Sequence, residues 1–383
     1  MAREAGRPIP VLLLARELGP GGTERQLTEL GRSLDRSQFE PHVGCFHTDG
    51  FRGEELRQAG VPTVQFPVRS LYKPSTIAAG RLLGDYLGRH RIPLVHSFDT
   101  PMNVFGVFAA RAYRAPVVIS SQRAYRSLAR GMSRHLLRLT DRMVDAVVVN
   151  CEAMRKHLVE QEKVSPALIR LCYNGVDTRR FQPRPGPRRE PLRDASLVIG
   201  VVCAMRPEKG LPTLLDAFAR VRSLRPGLRL VLVGGGSMLP ELESQSRRLG
   251  IAAQTLFQPF TGQVEDWLRS VDIFVLPSLS EALSNSLMEA MACGCAVAAS
   301  RVGGNPELVE DHRTGLLFGA GDAGELAAAL RLLIEHETLR KDLAAAGASH
   351  VRQSFSLEAA ARRMEGIYSA LLDGFSTTPG HGL

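Results

Sequence analysis

The chain has 383 residues, 44% of them hydrophobic and 23% charged, with a formal net charge of +9. That length is too great for one ordinary hydrophobic core and suits two α/β domains of roughly 150–200 residues each. The composition excludes a disordered or fibrous chain, and no apolar run approaches the ~20 residues that span a bilayer, so no transmembrane helix is expected.

In chain order, the opening MAREAGRPIPVLLLAREL holds a short apolar stretch that runs into a glycine-rich turn. It reads as a first buried strand, Ile9–Leu14; a signal peptide would need a longer apolar region and a small-residue cleavage site. Further β-type runs fall at His42–Phe46, Thr63–Phe66, Leu94–Ser97, Val117–Ser120, Ala146–Val149 and Leu168–Cys172. Helical periodicity lies between them, including Glu24–Leu34, Ser75–Arg89 and Pro101–Tyr113. The stretch Arg179–Ser196 carries four prolines and no periodicity, and is the expected domain boundary. A second series then places strands at Leu197–Cys203, Leu228–Val233, Thr255–Phe257, Ile273–Leu276 and Ala296–Ala299. Its helices fall near Leu211–Ser223, Met238–Leu249, Val264–Ser270 and Asn285–Ala292. The tail from Ala323 to Asp373 reads as three helices, the last packing back on the first domain.

Short apolar strands alternating with helices throughout indicate parallel sheets covered on both faces. The expected class is therefore α/β, with two facing Rossmann-like domains and a ligand cleft at the strand C-terminal ends. The expected division is 1–180, a linker at 181–196, a second domain at 197–355, and a C-terminal helix and tail at 356–383.

Charge is unevenly placed: residues 1–190 hold 30 Lys+Arg against 18 Asp+Glu, and the remainder 18 against 21. A basic half suggests an anionic partner, although only five of the 48 basic residues are lysine, which equally fits an arginine-rich proteome. Arginines 126, 130, 134, 138 and 142 recur every four residues. On one helix they would form a slanting basic stripe suited to anionic lipid headgroups, a polyprenyl diphosphate or a phosphorylated glycan, or simply a solvated face. The six cysteines lack metal or redox spacing, Cys293-Gly-Cys295 being one residue short of CxxC. Free buried thiols and a cytoplasmic location are expected, with no metal site. Basic and aromatic residues are not interleaved, so no nucleic-acid partner is expected.

The most informative stretch is Pro277–Phe318, in which Glu281 and Glu289 are separated by seven residues. Glu281 lies on a loop after a strand, and Asn285 begins a helix. Unpaired N–H groups at that helix start suit a phosphate, while Glu289, one turn inside, suits vicinal hydroxyls such as those of a ribose. The spacing alone fits capping and a solvated face equally well.

This segment resembles the donor-site signature of the family-4 glycosyltransferases, the retaining E-x7-E group with the GT-B fold. GPGGTERQL at Gly19–Leu27 is similar to that family's glycine-rich turn, and YNGVD at Tyr173–Asp177 to the close of its first domain. VVCAMRPEKGLPTLLDAF at Val201–Phe218 resembles the strand, basic loop and helix that open its second, and VLVGGG and DIFVLPS follow in the family's order. The resemblance implies a nucleotide-sugar donor, UDP- or GDP-linked, and no separate cofactor. It implies that Glu289 binds the ribose and Glu281 the donor sugar. The backbone of Leu283, Ser284 and Asn285 would meet the diphosphate, with charge from Lys209. Gly21 and Gly22 would let backbone approach the same phosphates.

The chain departs from the family at Ala204, where an arginine is usual; Arg206 is the nearest replacement. Gln122 stands where a histidine often follows the P-x-V strand, with Arg123 next. His96 matches a family histidine, although its usual companion is Phe98 here. The implied chemistry is same-face substitution, in which the leaving phosphate helps to deprotonate the acceptor. The expected function is sugar transfer to a glycan, glycolipid or small molecule in cell-envelope or polysaccharide synthesis. Other GT-B proteins, namely an epimerase or a pyridoxal-phosphate phosphorylase, are rivals. So is a catalytically silent member that binds nucleotide or scaffolds polysaccharide assembly.

Overall fold

The computed structural model describes residues 7–19, 21–48, 50–68, 70–71, 73, 75–126, 132–184 and 186–377. The chain forms two compact units: one runs to Gly175 and resumes at Leu357, and the other is Val176–Ser356. The proline-rich stretch 181–196 thus lies within the second unit.

The first unit is built on seven parallel strands, β1 (Ile9–Glu17), β2 (Phe39–His47), β3 (Thr63–Gln65), β4 (Leu94–Ser97), β5 (Val117–Gln122), β6 (Ala146–Val149) and β7 (Ile169–Leu171). Their order is β3-β2-β1-β4-β5-β6-β7. Val11 to Ala15 of β1 are wholly buried, so the strand reads as a continuous apolar run and not an alternating one, as expected for a sheet covered on both faces. The C-terminal helix Leu357–Thr377 belongs to this unit. Its Met364 and Tyr368 enter the core, and Tyr368 meets Phe39 edge-on with ring centroids 5.8 Å apart.

The second unit holds six parallel strands, β8 (Leu197–Val202), β9 (Leu228–Val233), β10 (Thr255–Gln258), β11 (Ile273–Leu276), β12 (Ala296–Ser300) and β13 (Leu316–Phe318), ordered β10-β9-β8-β11-β12-β13. The helix Leu211–Val221 turns Leu214, Leu215 and Phe218 into its core, against Leu326 and Leu330 of the helix Ala323–Glu335. Strand β13 was not among the strands read from the sequence. Both sheets reverse direction once, between β1 and β4 and between β8 and β11. These are the switch points where crevices open at strand C-termini.

At the first switch point, Asp99 caps the helix Thr100–Ala112 by accepting the Met102 N–H at 3.0 Å, with Pro101 in the first turn. Burial pushes its carboxyl up to about 6, against the lowering effect of the Arg16 and Met102 N–H groups. The folded state therefore holds this proton more tightly than the unfolded chain does. Its contribution is fully present below about pH 4 and is lost as pH rises through about 6. Asp99→Asn is expected to remove that dependence. Melting curves between pH 4 and 8 should show wild type losing up to about 2–3 kcal/mol relative to the variant. Parallel curves for the two proteins would refute the assignment.

The arginine stripe needs correction. Among the described residues the helix is Met132–Thr140, and Arg126 and Arg142 both lie outside it, Arg142 in the turn that follows. Arg126 points inward: its guanidinium forms a buried fork on Asp141 at 2.6 and 2.7 Å, and its Nε donates to Gln122. Arg134 and Arg138 both pair with Glu162, whose side chain is fully enclosed. Arg130 lies outside the described residues. Three of the five arginines thus answer two buried carboxylates, and Arg126 does not share an outward face with the others. All six thiols are free. No helix among the described residues is long and apolar enough to cross a membrane.

Candidate functional site

The two loops that leave β8 and β11 at the second switch point are tied to each other. The Leu279 N–H donates to the Glu208 carbonyl at 2.8 Å. Gly210 follows the short turn Pro207–Lys209 at φ 60°, a left-handed conformation that favours glycine, and a Cβ there would lie 2.1 Å from the Pro277 carbonyl oxygen. Gly303, at φ 52°, packs as tightly against the Glu281 carbonyl, and the Gly304 N–H donates to Ala282 at 2.6 Å. Backbone packing thus helps to fix the loop that carries Glu281, together with the Ser300 hydroxyl, which donates to the Ser278 carbonyl at 2.6 Å.

On that frame the Lys209 ammonium stands 2.6 Å from the Glu281 carboxylate, with side chains only 21% and 13% exposed. Ser278 Oγ donates to the same carboxylate oxygen at 3.2 Å. Burial works against the lysine charge. The field and hydrogen bond of Glu281 outweigh it, with smaller help from Cys203 and Glu208, and hold Lys209 above the ordinary lysine value. The result is a fixed, partly dehydrated positive charge.

The chain then enters the helix Asn285–Ala292, capped by Ser284, whose Oγ accepts the Leu287 N–H. Leu283 and Ser284 are buried at its start, and Glu289 is buried one turn inside. Lys209, Glu281, Leu283, Ser284, Asn285 and Glu289 are therefore placed on neighbouring segments of one unit. Arg206 sits at the same loop, but its side chain is 66% exposed and reaches only Glu208, at 4.0 Å. Sequence reasoning missed Gly210, Ser278 and Gly303. The first and last carry a legible signal, a glycine directly after a functional lysine and a glycine pair before a short helix.

In the first unit, Gly21 is the N-cap of the helix Gly22–Ser33. A Cβ on Gly21 would meet only the end of the flexible Glu24 side chain, which can move aside. His96 is wholly buried at the end of β4. Its Nδ1 lies 2.7 Å from the Tyr368 hydroxyl and its Nε2 2.8 Å from Ser121 Oγ. Burial, with the nearby Arg123 charge, keeps it neutral. Both ring nitrogens are engaged within the unit. Gln122 donates to the Ala124 carbonyl. Among the described residues no group of His, Cys, Asp and Glu side chains is arranged to hold a metal.

Two parallel α/β units with a shared C-terminal helix return define the GT-B fold. The chain superposes on Anabaena HepE in complex with UDP with a TM-score of 0.82 at 23% identity, covering 94% of this chain and 100% of that one. It superposes on sucrose-phosphate synthase of Thermosynechococcus elongatus at 0.80 and 20%, covering 96% and 100%. The family model described as Glycosyltransferase Family 4 matches residues 20–180, and that of Glycosyl transferases group 1 matches residues 187–350. The chain belongs to the family-4 glycosyltransferases. Among curated relatives it is 31% identical to D-inositol 3-phosphate glycosyltransferase of Segniliparus rotundus over 78% of this chain and 65% of that protein. Against the protein of the same name from Streptomyces scabiei it is 31% identical over 60% of this chain. The chain spans only 65% and 55% of the length of these two relatives.

Proposed function

We propose that the protein is a retaining glycosyltransferase that moves a sugar from a UDP- or GDP-sugar to a glycan, glycolipid or small-molecule acceptor. The observation that carries this reading is the dehydrated Lys209–Glu281 pair at a switch point, beside a helix N-terminus. That combination suits an anionic leaving group. UDP bound to the similarly folded HepE supports the reading at the level of ligand class.

Lys209 stabilises the departing diphosphate, with Arg206 free to swing toward it and backbone at Leu283, Ser284 and Asn285 adding dipolar support. Glu289 holds the ribose hydroxyls. Glu281, which orients Lys209 in the resting protein, turns to the donor sugar. Gly21 and Gly22 keep a first-unit helix N-terminus open to an anionic group. His96 acts through the packing of β4 and not by contact with substrate. Charge stabilisation by these groups suffices, so turnover should need neither a bound cation nor a cofactor. The setting is cytoplasmic, in envelope or polysaccharide synthesis. Arg142, exposed beside Arg134 and Arg138, is the contact for an anionic membrane face or acceptor.

Ala204 and Gln122 favour one second reading, a silent member that binds nucleotide without transferring sugar. Glu289→Ala separates the two from mere misassignment. Calorimetric titration with the donor should show binding weakened at least about tenfold, the loss of a charge-assisted pair, with the fold retained. Unchanged affinity in the folded variant would remove the ribose role.

A further inference from the structure

A second feature, independent of the donor site, lies within the first unit. Arg123, just past β5, is a guanidinium with no carboxylate acting on it from the described residues. Nη1 donates to Asn174 Oδ1, the plane rests 4.9 Å from the Phe98 ring centroid, and Nε is buried with no partner. The Cys172 and Tyr368 side chains also favour its charge, but burial outweighs them and depresses the guanidinium to about 10. A buried cation without a counter-ion is costly, and structures of this kind supply one.

The space for it is present. Arg123 forms one wall of a half-open pocket of about 20 Å³, lined by Gln26 and Glu29 of the helix Gly22–Ser33, by Cys172 and Gly175, and by Leu357 of the C-terminal helix. That space admits a monatomic ion. The neighbouring potential is positive: both Arg123 and Arg363 act on the Cys172 thiol, although burial wins and pushes it up to about 11. Glu29 is the one acidic group on the wall, and it lies 3.5 Å from Arg32. Gln26 is bound to the Gly175 backbone through both ends of its amide, which fixes the opposite wall.

We propose that this cavity binds a single halide-sized anion, chloride in the cell, on the Arg123 guanidinium. The ion neutralises the buried charge. It also joins three segments, the Gly22–Ser33 helix, the Cys172–Gly175 stretch where the chain leaves the unit, and the Leu357 end of the helix by which it returns.

Crystals of the full chain soaked in sodium bromide test this directly. An anomalous peak in the cavity within hydrogen-bond reach of Arg123 is expected, and a cavity holding no anomalous scatterer would overturn the proposal. In solution, melting in sodium chloride is compared with sodium gluconate at equal ionic strength. A saturable, chloride-specific rise is expected for wild type and its loss in Arg123→Gln. An equal rise in both proteins would refute the site. If Arg123→Gln fails to fold, the bromide map of the wild-type protein still decides the matter. Donor binding measured in gluconate shows whether the two sites stand or fall separately.

Discussion

Lys209→Ala should lower turnover by about 10²–10³-fold, the loss typical of removing one preorganised charge from a developing anion. The ammonium is partly dehydrated, so once Glu281 turns to the donor sugar its charge is screened less than that of a solvated surface lysine. The loss should appear mainly in kcat, because charge builds on the leaving group as the glycosidic bond breaks. Lys209→Arg should recover only part of it, since a planar fork does not fit the point-charge geometry on Glu281. The control is donor affinity by titration, which should change less than kcat. If kcat holds while donor affinity falls, Lys209 serves binding alone. If both hold, the loop is structural.

The second large effect concerns stability. Arg126→Met should destabilise the first unit by about 3–5 kcal/mol, because it strands the Asp141 carboxylate beneath the surface. For a unit of this size the melting transition should fall on the order of 10 °C. Adding Asp141→Leu should restore most of it, since an apolar pair of similar volume replaces a buried ion pair at little cost. A single variant that melts like wild type would mean that the buried fork is not maintained in solution. It would also reopen an outward-facing role for Arg126.

The element order was nearly complete in the sequence because buried parallel strands are continuous apolar runs, as in Val11–Ala15, and such runs are conspicuous. β13 alone among the strands was missed. The arginine spacing misled for a different reason. Periodicity shows that residues share a helical face only if one helix contains them all, and here Arg126 and Arg142 lie outside Met132–Thr140. The burial of Asp141 and Glu162, which explains the arginines, depends on tertiary packing that no local pattern encodes. In Pro277–Phe318, residue types and spacing placed Glu281, Asn285 and Glu289 on the correct loop and helix. The pairing of Lys209 with Glu281 spans 72 positions and emerges only when β8 and β11 become neighbours. His96 drew notice because it matches a family histidine, and its surroundings were not legible. Its enclosure by Tyr368 is set by the returning C-terminal helix, 272 positions away.

The measurement that bears most directly on the central claim is a melting screen of the purified protein against UDP, GDP, ADP and their common sugar conjugates. A donor present at 100 times its dissociation constant adds about 2.7 kcal/mol, which a melt resolves. The expected result is a clear shift with one nucleotide family, larger for a sugar conjugate and absent in Glu289→Ala. A well-folded protein that shifts with none of them would contradict the account and leave the Lys209–Glu281 pair as architecture.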